Sequence, residues 1–285
     1  MLDRVKRAAR DKLQRAVAEV VEAESAARER QLEERLAKQQ QELRELHADA
    51  IKALDRLADR VAAESDRLHR RVDDLEDRAR RDIWYARDVN AAAEAASFVR
   101  DHLPGAQVFW HGHDTLRFAL AEVKGPGLAL EFGVATGTTL KIIADAVGND
   151  RTVVGFDTFT GLPEAWRTGF PAGEFAQQHL PDVAGAELIV GLFEDELPGF
   201  LARNEDQIAF MHVDCDLYSA TKAVLDLTTE RLAPGAVLLF DEFFNFPGWQ
   251  QHEFRAWTEF LERTGRTFEY LAYTGNSEQV VVRLH

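Results

Sequence analysis

Six carboxylates carry the chemistry this chain can do: Glu131, Asp157, Asp214, Asp216, Asp241 and Glu242. Each follows a short apolar run, so each is expected at the carboxyl end of a buried strand, where open α/β sheets bind ligands. Glu131 ends the run Leu128–Leu130 and leads into a turn through Gly133 and Gly137 toward a helix starting near Thr138. Glycine there takes up positive φ and lets the backbone approach a ligand. An acid followed by such a turn suits nucleoside hydroxyls better than a pyrophosphate, because no Lys-Ser/Thr pair follows to hold phosphates. An ordinary strand-to-helix turn has the same residues.

Asp157, at the end of the next run, is placed to accept the two hydroxyls of a ribose. Asp214 ends a third run and the pair Asp241-Glu242 a fourth. Those tails leave neighbouring strands, so three carboxylates converge, and so much unpaired negative charge is costly. A hard divalent cation such as Mg2+ resolves it with oxygen ligands. Asp216 has a second reading, as the cap of a helix beginning at Ser219. His111 and His113 could bind metal but are read as loop histidines facing solvent.

The elements that position these acids alternate strand and helix from Leu128 onward. Strands are expected at 128–132, 152–156, 186–190, 208–213 and 236–240. Helices are expected at 138–147, 196–203, 219–231 and 251–264, with a closing hairpin of 267–273 and 279–284. The fold class is α/β, a doubly wound and mostly parallel sheet. Ahead of it, 83–127 reads as a helical linker and cap, with helices over 91–103 and 115–123.

Residues 1–82 differ in kind. All 18 glycines and all 8 prolines lie at or beyond Pro104. Leu13, Val17, Val20, Leu32, Leu36, Leu43, Leu46, Leu54, Leu57, Val61, Leu68, Val72 and Leu75 trace a heptad seam with slips, flanked by charges of both signs. One helix of that length spans roughly 120 Å and has no core of its own. The spacing predicts a coiled coil that self-associates, parallel and homo-oligomeric.

Residues 1–82 carry 20 basic and 20 acidic side chains, so the net charge of −15 belongs to 83–285. An acidic globular part argues against nucleic acid as a partner. The single Cys215 excludes an intrachain disulfide framework and fits a reducing compartment. No run reaches the length of a membrane span, and the opening Met1–Arg7 stretch lacks the apolar core of a secretion signal. A cytoplasmic location follows. A dinucleotide oxidoreductase is excluded by the turn Gly133-Val-Ala-Thr-Gly137, which lacks G-x-G-x-x-G spacing. A non-enzymatic coiled-coil scaffold whose globular part is only a binding module is the competing reading; intact acids at four strand ends argue against it.

With these residues in place, roughly 115–285 resembles the class I S-adenosylmethionine-dependent methyltransferases, which have a Rossmann-like sheet. More narrowly it resembles the macrocin and mycinamicin type of sugar O-methyltransferase. The resemblance rests on Leu130-Glu-Phe-Gly-Val-Ala-Thr-Gly137, Gly155-Phe-Asp-Thr-Phe-Thr-Gly-Leu-Pro163, Gly191-Leu-Phe-Glu-Asp-Glu-Leu-Pro198, Val213-Asp-Cys-Asp-Leu-Tyr-Ser-Ala-Thr221 and Phe240-Asp-Glu-Phe-Phe-Asn-Phe-Pro-Gly-Trp249.

The resemblance implies S-adenosylmethionine and Mg2+ as cofactors and a sugar-containing small molecule or glycan as acceptor. Gly133 and Gly137 would line the methionine part with Glu131 beneath, and Asp157 would hold the ribose beside Thr158 and Phe159. Phe193 and Glu194 would meet the adenine, and Ala135, Thr136, Thr138 and Asp214 would complete the cofactor site. Asp214, Asp241 and Glu242 match the metal ligands. Catechol-type relatives keep a Lys three residues after the first ligand, where this chain has Leu217. The general base is therefore sought among His179, ranked first for its place in the loop 164–185, Asp216 and His252. Trp166, Phe170, Phe246 and Trp249 form an aromatic wall for a sugar or belong to the core.

Overall fold

The computed structural model describes residues 2–285, with side chains from Arg7 onward. Of the opening stretch, read above as lacking the apolar core of a secretion signal, the side chains of residues 1–6 lie outside the described residues. The chain forms two compact units, 1–81 and 82–285.

The first unit is one helix, α1 (Leu2–Arg81). Its seam side chains are exposed, Leu54 and Leu43 at 64% and Leu46 at 69%. Among the described residues no helix is long and apolar enough to cross a membrane.

The second unit opens with α2 (Ile83–His102), about two turns earlier than the sequence pattern indicated. No Gly or Pro was needed to start it. Asp82 takes an extended conformation and its carboxylate accepts from the amides of Trp84 and Tyr85 at 2.9 and 3.1 Å, which satisfies two of the helix's unpaired first-turn donors. Then follow β1 (Gln107–Phe109), α3 (Gly112–Ala121), β2 (Leu128–Phe132), α4 (Thr138–Val147), β3 (Val153–Asp157) and β4 (Ala186–Val190). The remainder is α5 (Phe193–Arg203), β5 (Ile208–Val213), α6 (Tyr218–Thr228), β6 (Leu232–Phe240), α7 (Glu253–Thr264), β7 (Phe268–Thr274) and β8 (Val280–Leu284).

These strands build one eight-stranded sheet in the order β1-β7-β8-β6-β5-β2-β3-β4. Its pairings are parallel except those of β8, which runs antiparallel to both β6 and β7. The sheet is thus doubly wound and mostly parallel, as the alternation of elements requires. The three-residue edge strand β1 was not foreseen; a run that short carries no legible period.

Alternation along each strand divides the core. Leu128, Leu130 and Phe132 of β2 enter a large cluster with Leu197, Phe200, Val224, Leu225, Trp257 and Phe260 from α5, α6 and α7. Ala129 faces a smaller cluster with Leu116, Ala119, Leu140 and Ile143 from α3 and α4. β2 and β5 are buried along their whole length, so polar side chains on them must find partners inside.

Candidate active site

The ladder carries the strand ends into register. The amide of Gly133 donates to Phe156, that of Asp214 to Phe132, and that of Asp241 to Val213, at 2.8–2.9 Å. The residues after β2, β5 and β6 are thereby held side by side at the carboxyl edge of the sheet. Gly133 has φ +93°, and Gly137 adopts left-handed φ +79° just before α4. Between them Ala135 is held at φ +44°, a region that costs a non-glycine residue about 1 kcal/mol or more.

What holds that turn is Asp157. Its Oδ2 accepts from the amides of Val134 and Ala135, both at 2.8 Å, and its Oδ1 from the amide of Phe159 at 2.7 Å. The residue read as a ribose acceptor is thus also the anchor of the glycine turn.

A cavity of about 400 Å³ opens over these ends. Gly133, Ala135, Asp157, Thr158, Phe193 and Glu194 line one part of it; Asp214, Asp216 and Glu242 line another. Trp166, Arg167, Phe170 and Phe175 come from the loop after β3. Of the sequence-derived cofactor residues, Glu131, Thr136, Gly137, Thr138 and Phe159 are not on its wall. Gly137 packs instead against Pro181 and Val183, and Phe159 is buried in the smaller core cluster.

Potential ligand atoms of Asp214, Asp216 and Glu242 lie within 4.8 Å of one another, as do those of His212, Asp214 and Asp241. Charges about 4 Å apart repel by about 4 kcal/mol at an effective dielectric near 20. Burial, then the charge of Asp241, pushes Asp214 and Glu242 well above the usual carboxylate range, and the same two causes push Asp216 up to about 7. Glu242 Oε2 is buried without a hydrogen-bond partner. An all-oxygen donor set with an orphaned carboxylate oxygen fits a hard divalent cation. Asp216 does not cap α6, whose N-cap is Leu217 with no side-chain bond; it turns into the cluster at φ +59°.

The candidate bases are dispersed. Asp216 lies in the cavity. His179 is exposed and His252 is half-buried, and neither lines the cavity. Of the aromatic candidates, Trp166 and Phe170 line the cavity, whereas Phe246 and Trp249 belong to the core at 2% and 4% exposure.

Four side chains at this site were not singled out from the sequence. His212 is buried on β5 and bridges two acids, with Nδ1 2.8 Å from Glu131 Oε1 and Nε2 3.4 Å from Asp241 Oδ1. Burial opposes its charge, yet the bonds to Asp241 and Glu131 hold its pKa well above the usual value. Glu253, at the start of α7, accepts from the amide of Glu242 at 2.9 Å and is fully buried. Arg167 is the cavity's one basic side chain among the described residues; it pairs with Glu278 at 3.0 Å and lies 3.9 Å from the centroid of Trp166. His212 interrupts an apolar strand and Glu253 opens a helix, positions that carry no spacing signal of a site; Arg167 and Glu278 sit on separate loops with no local spacing signal.

Comparison with known proteins agrees with the geometry. Residues 130–243 match the family described as "Methyltransferase domain". No curated protein matches the chain. Among solved structures, the chain is similar to CalS11, a calicheamicin methyltransferase, with 29% identity, 60% of this chain and 77% of that chain covered, and a TM-score of 0.49. It is also similar to the O-methyltransferase NovP, at 22% identity, 60% and 78% coverage and a TM-score of 0.45. A third is the O-methyltransferase TomG from Streptomyces achromogenes, solved with S-adenosylmethionine, at 18% identity, 68% and 88% coverage and a TM-score of 0.41. The match to a methyltransferase domain lies wholly within the second unit, over the strand ends that build the cavity.

Proposed function

We propose that the protein transfers a methyl group from S-adenosylmethionine to a hydroxyl of a sugar or of a glycosylated or polysaccharide acceptor, with the help of Mg2+. The observation that carries this reading is the meeting of the Gly133–Ala135 turn and the carboxylates Asp214, Asp216 and Glu242 in one cavity. Glycine at 133 lets the donor turn pack directly on the Asp214 backbone, and Asp157 fixes the amides of Val134 and Ala135 in place. Thr158 and Glu194 are then the cavity's polar groups for the ribose hydroxyls, with Phe193 beside the base. Asp214 and Glu242, joined by Asp216 or Asp241, hold the cation, which when bound lowers the pKa of a neighbouring hydroxyl and orients it. Asp216 is the proton acceptor that the cavity itself supplies, and its raised pKa suits that work near neutral pH. His179 and His252 serve only if their segments move toward the acceptor.

The heptad seam of α1 supports self-association, with a second copy covering Leu43, Leu54 and Leu68. The lone buried Cys215 suits a reducing compartment such as the cytoplasm.

Calorimetry with S-adenosylmethionine and Mg2+ tests the reading, followed by transfer of a labelled methyl group to glycosides and glycans. Binding of the donor and labelling of a sugar hydroxyl that chelation abolishes are expected. Absence of donor binding with and without Mg2+ overturns it. For α1, Leu54→Asn and Leu68→Asn in the full chain should lower the mass measured by sedimentation; a monomeric native chain removes that part.

A further inference from the structure

β2, β5 and β6 are neighbours in the sheet, and Glu131 stands directly opposite His212 in the β2–β5 register. The imidazole spans from Glu131, before the glycine turn, to Asp241, after β6, as a crossbar under the cavity. Its exposure is 1%, and that of the Glu131 side chain is 0%. Both ring nitrogens are engaged, so neither is left to bind a metal directly. The Asp241 oxygen that meets His212 Nε2, Oδ1, also accepts from Gln279 Nε2 at 3.1 Å. Two donors from two different strand ends therefore converge on one oxygen of one carboxylate, and the same carboxylate also meets the side chain of Glu242, one of the candidate ligands.

We propose that His212 is a positioning residue that, with Gln279, locks the rotamer of Asp241 so that its other oxygen is turned to the divalent cation beside Glu242, and that ties this ligand to the strand bearing the donor turn. This rests on the cation reading given above. A histidine buried for packing alone would not need both nitrogens aimed at carboxylates, and Asp241 would not need two braces. Outer partners that orient a ligating carboxylate are commonly worth about 10–100-fold in metal affinity.

The two nitrogens can be tested apart in the full-length protein. Asn at 212 places its amide near the Nδ1 position and keeps the partner Glu131; Gln reaches the Nε2 position and keeps the partner Asp241. Mn2+ serves as the probe, with binding followed by calorimetry and by the electron paramagnetic resonance signal of the free ion. Melting temperatures in chelator report the metal-free fold. His212→Asn is expected to weaken Mn2+ binding about ten-fold or more, whereas His212→Gln restores most of it even where its melting temperature is no higher. Gln279→Leu, at a half-buried position away from the strand core, should weaken Mn2+ binding several-fold and covers the case in which the 212 variants do not fold. Equal Mn2+ affinities in the wild type, His212→Asn and Gln279→Leu overturn the proposal, as does a loss in Asn and Gln alike that follows the melting temperature. A wild type that binds no Mn2+ overturns the cation reading itself and this proposal with it.

Discussion

A side chain at Gly133 would place its Cβ 1.6 Å from the carbonyl oxygen of Asp214. The donor turn and the first acidic tail are therefore packed backbone to backbone, with no room for a methyl group, and the positive φ at Gly133 adds to the exclusion. Gly133→Ala should push these two tails apart. The expected result is a loss of at least about 1–3 kcal/mol, at about 2–4 °C of melting temperature per kcal/mol, with donor binding lost in parallel. Thermal melts with and without S-adenosylmethionine check it; a native melting temperature with native donor affinity contradicts it.

Asp157 accepts three backbone amides. Asn at this position has one acceptor oxygen instead of two, and its NH2 would confront at least one of those donors. Asp157→Asn should cost about 1–3 kcal/mol in denaturant unfolding and weaken the donor more than it weakens Mn2+. Equal effects on both ligands would show that Asp157 supports the whole edge of the sheet and not the donor turn in particular.

The acids were legible because each ends an apolar run; a carboxylate after Phe156, Val213 or Phe240 has nowhere to go but the strand end. The helix boundaries were less so. Phe193, Glu194 and Asp195 already belong to α5, ahead of the start expected at 196, and the acidic first turn complements the helix dipole. Partnerships were not legible at all. His212 and Glu131 are 81 residues apart, and Arg167 and Glu278 are 111 apart. No local pattern encodes a contact that only the sheet order creates.

Arg167 lies over the Trp166 ring and 4.6 Å from the centroid of Phe246 while it holds Glu278. Its loop is tied down a second time by Ser219, whose hydroxyl donates to Glu164 at 3.0 Å. Arg167→Met keeps the stem's apolar packing but strands the Glu278 carboxylate, which burial already pushes up against the opposing pull of Arg167. We expect faster proteolysis within 158–185 and a raised KM for the acceptor with little change for the donor. A double-mutant cycle with Glu278→Gln should give a coupling of about 1 kcal/mol; no coupling would mean the pair is incidental.

His252 has its pKa lowered from 6.5 by burial and by the nearby charge of Arg167. A histidine harder to protonate in the folded state than in the unfolded chain contributes stability that is complete above pH 6.5 and is lost as pH falls below it toward the folded value. His252→Gln should therefore flatten the fall in melting temperature between about pH 7 and pH 5. An unchanged slope would assign that fall to other groups.

β8 is the one antiparallel strand, and it lies between β6 and β7 although every other strand precedes it in the chain. During synthesis the sheet cannot close when β6 and β7 have emerged, because the seat between them is kept for residues 280–284. Until they arrive, the open edge of β6 is exposed, and Asp241 lacks the Gln279 brace, which comes from the residue just before β8. Completion of the fold and completion of the site are thus one late event built from long-range contacts, a topology that folds slowly and is vulnerable to edge-to-edge association while it waits.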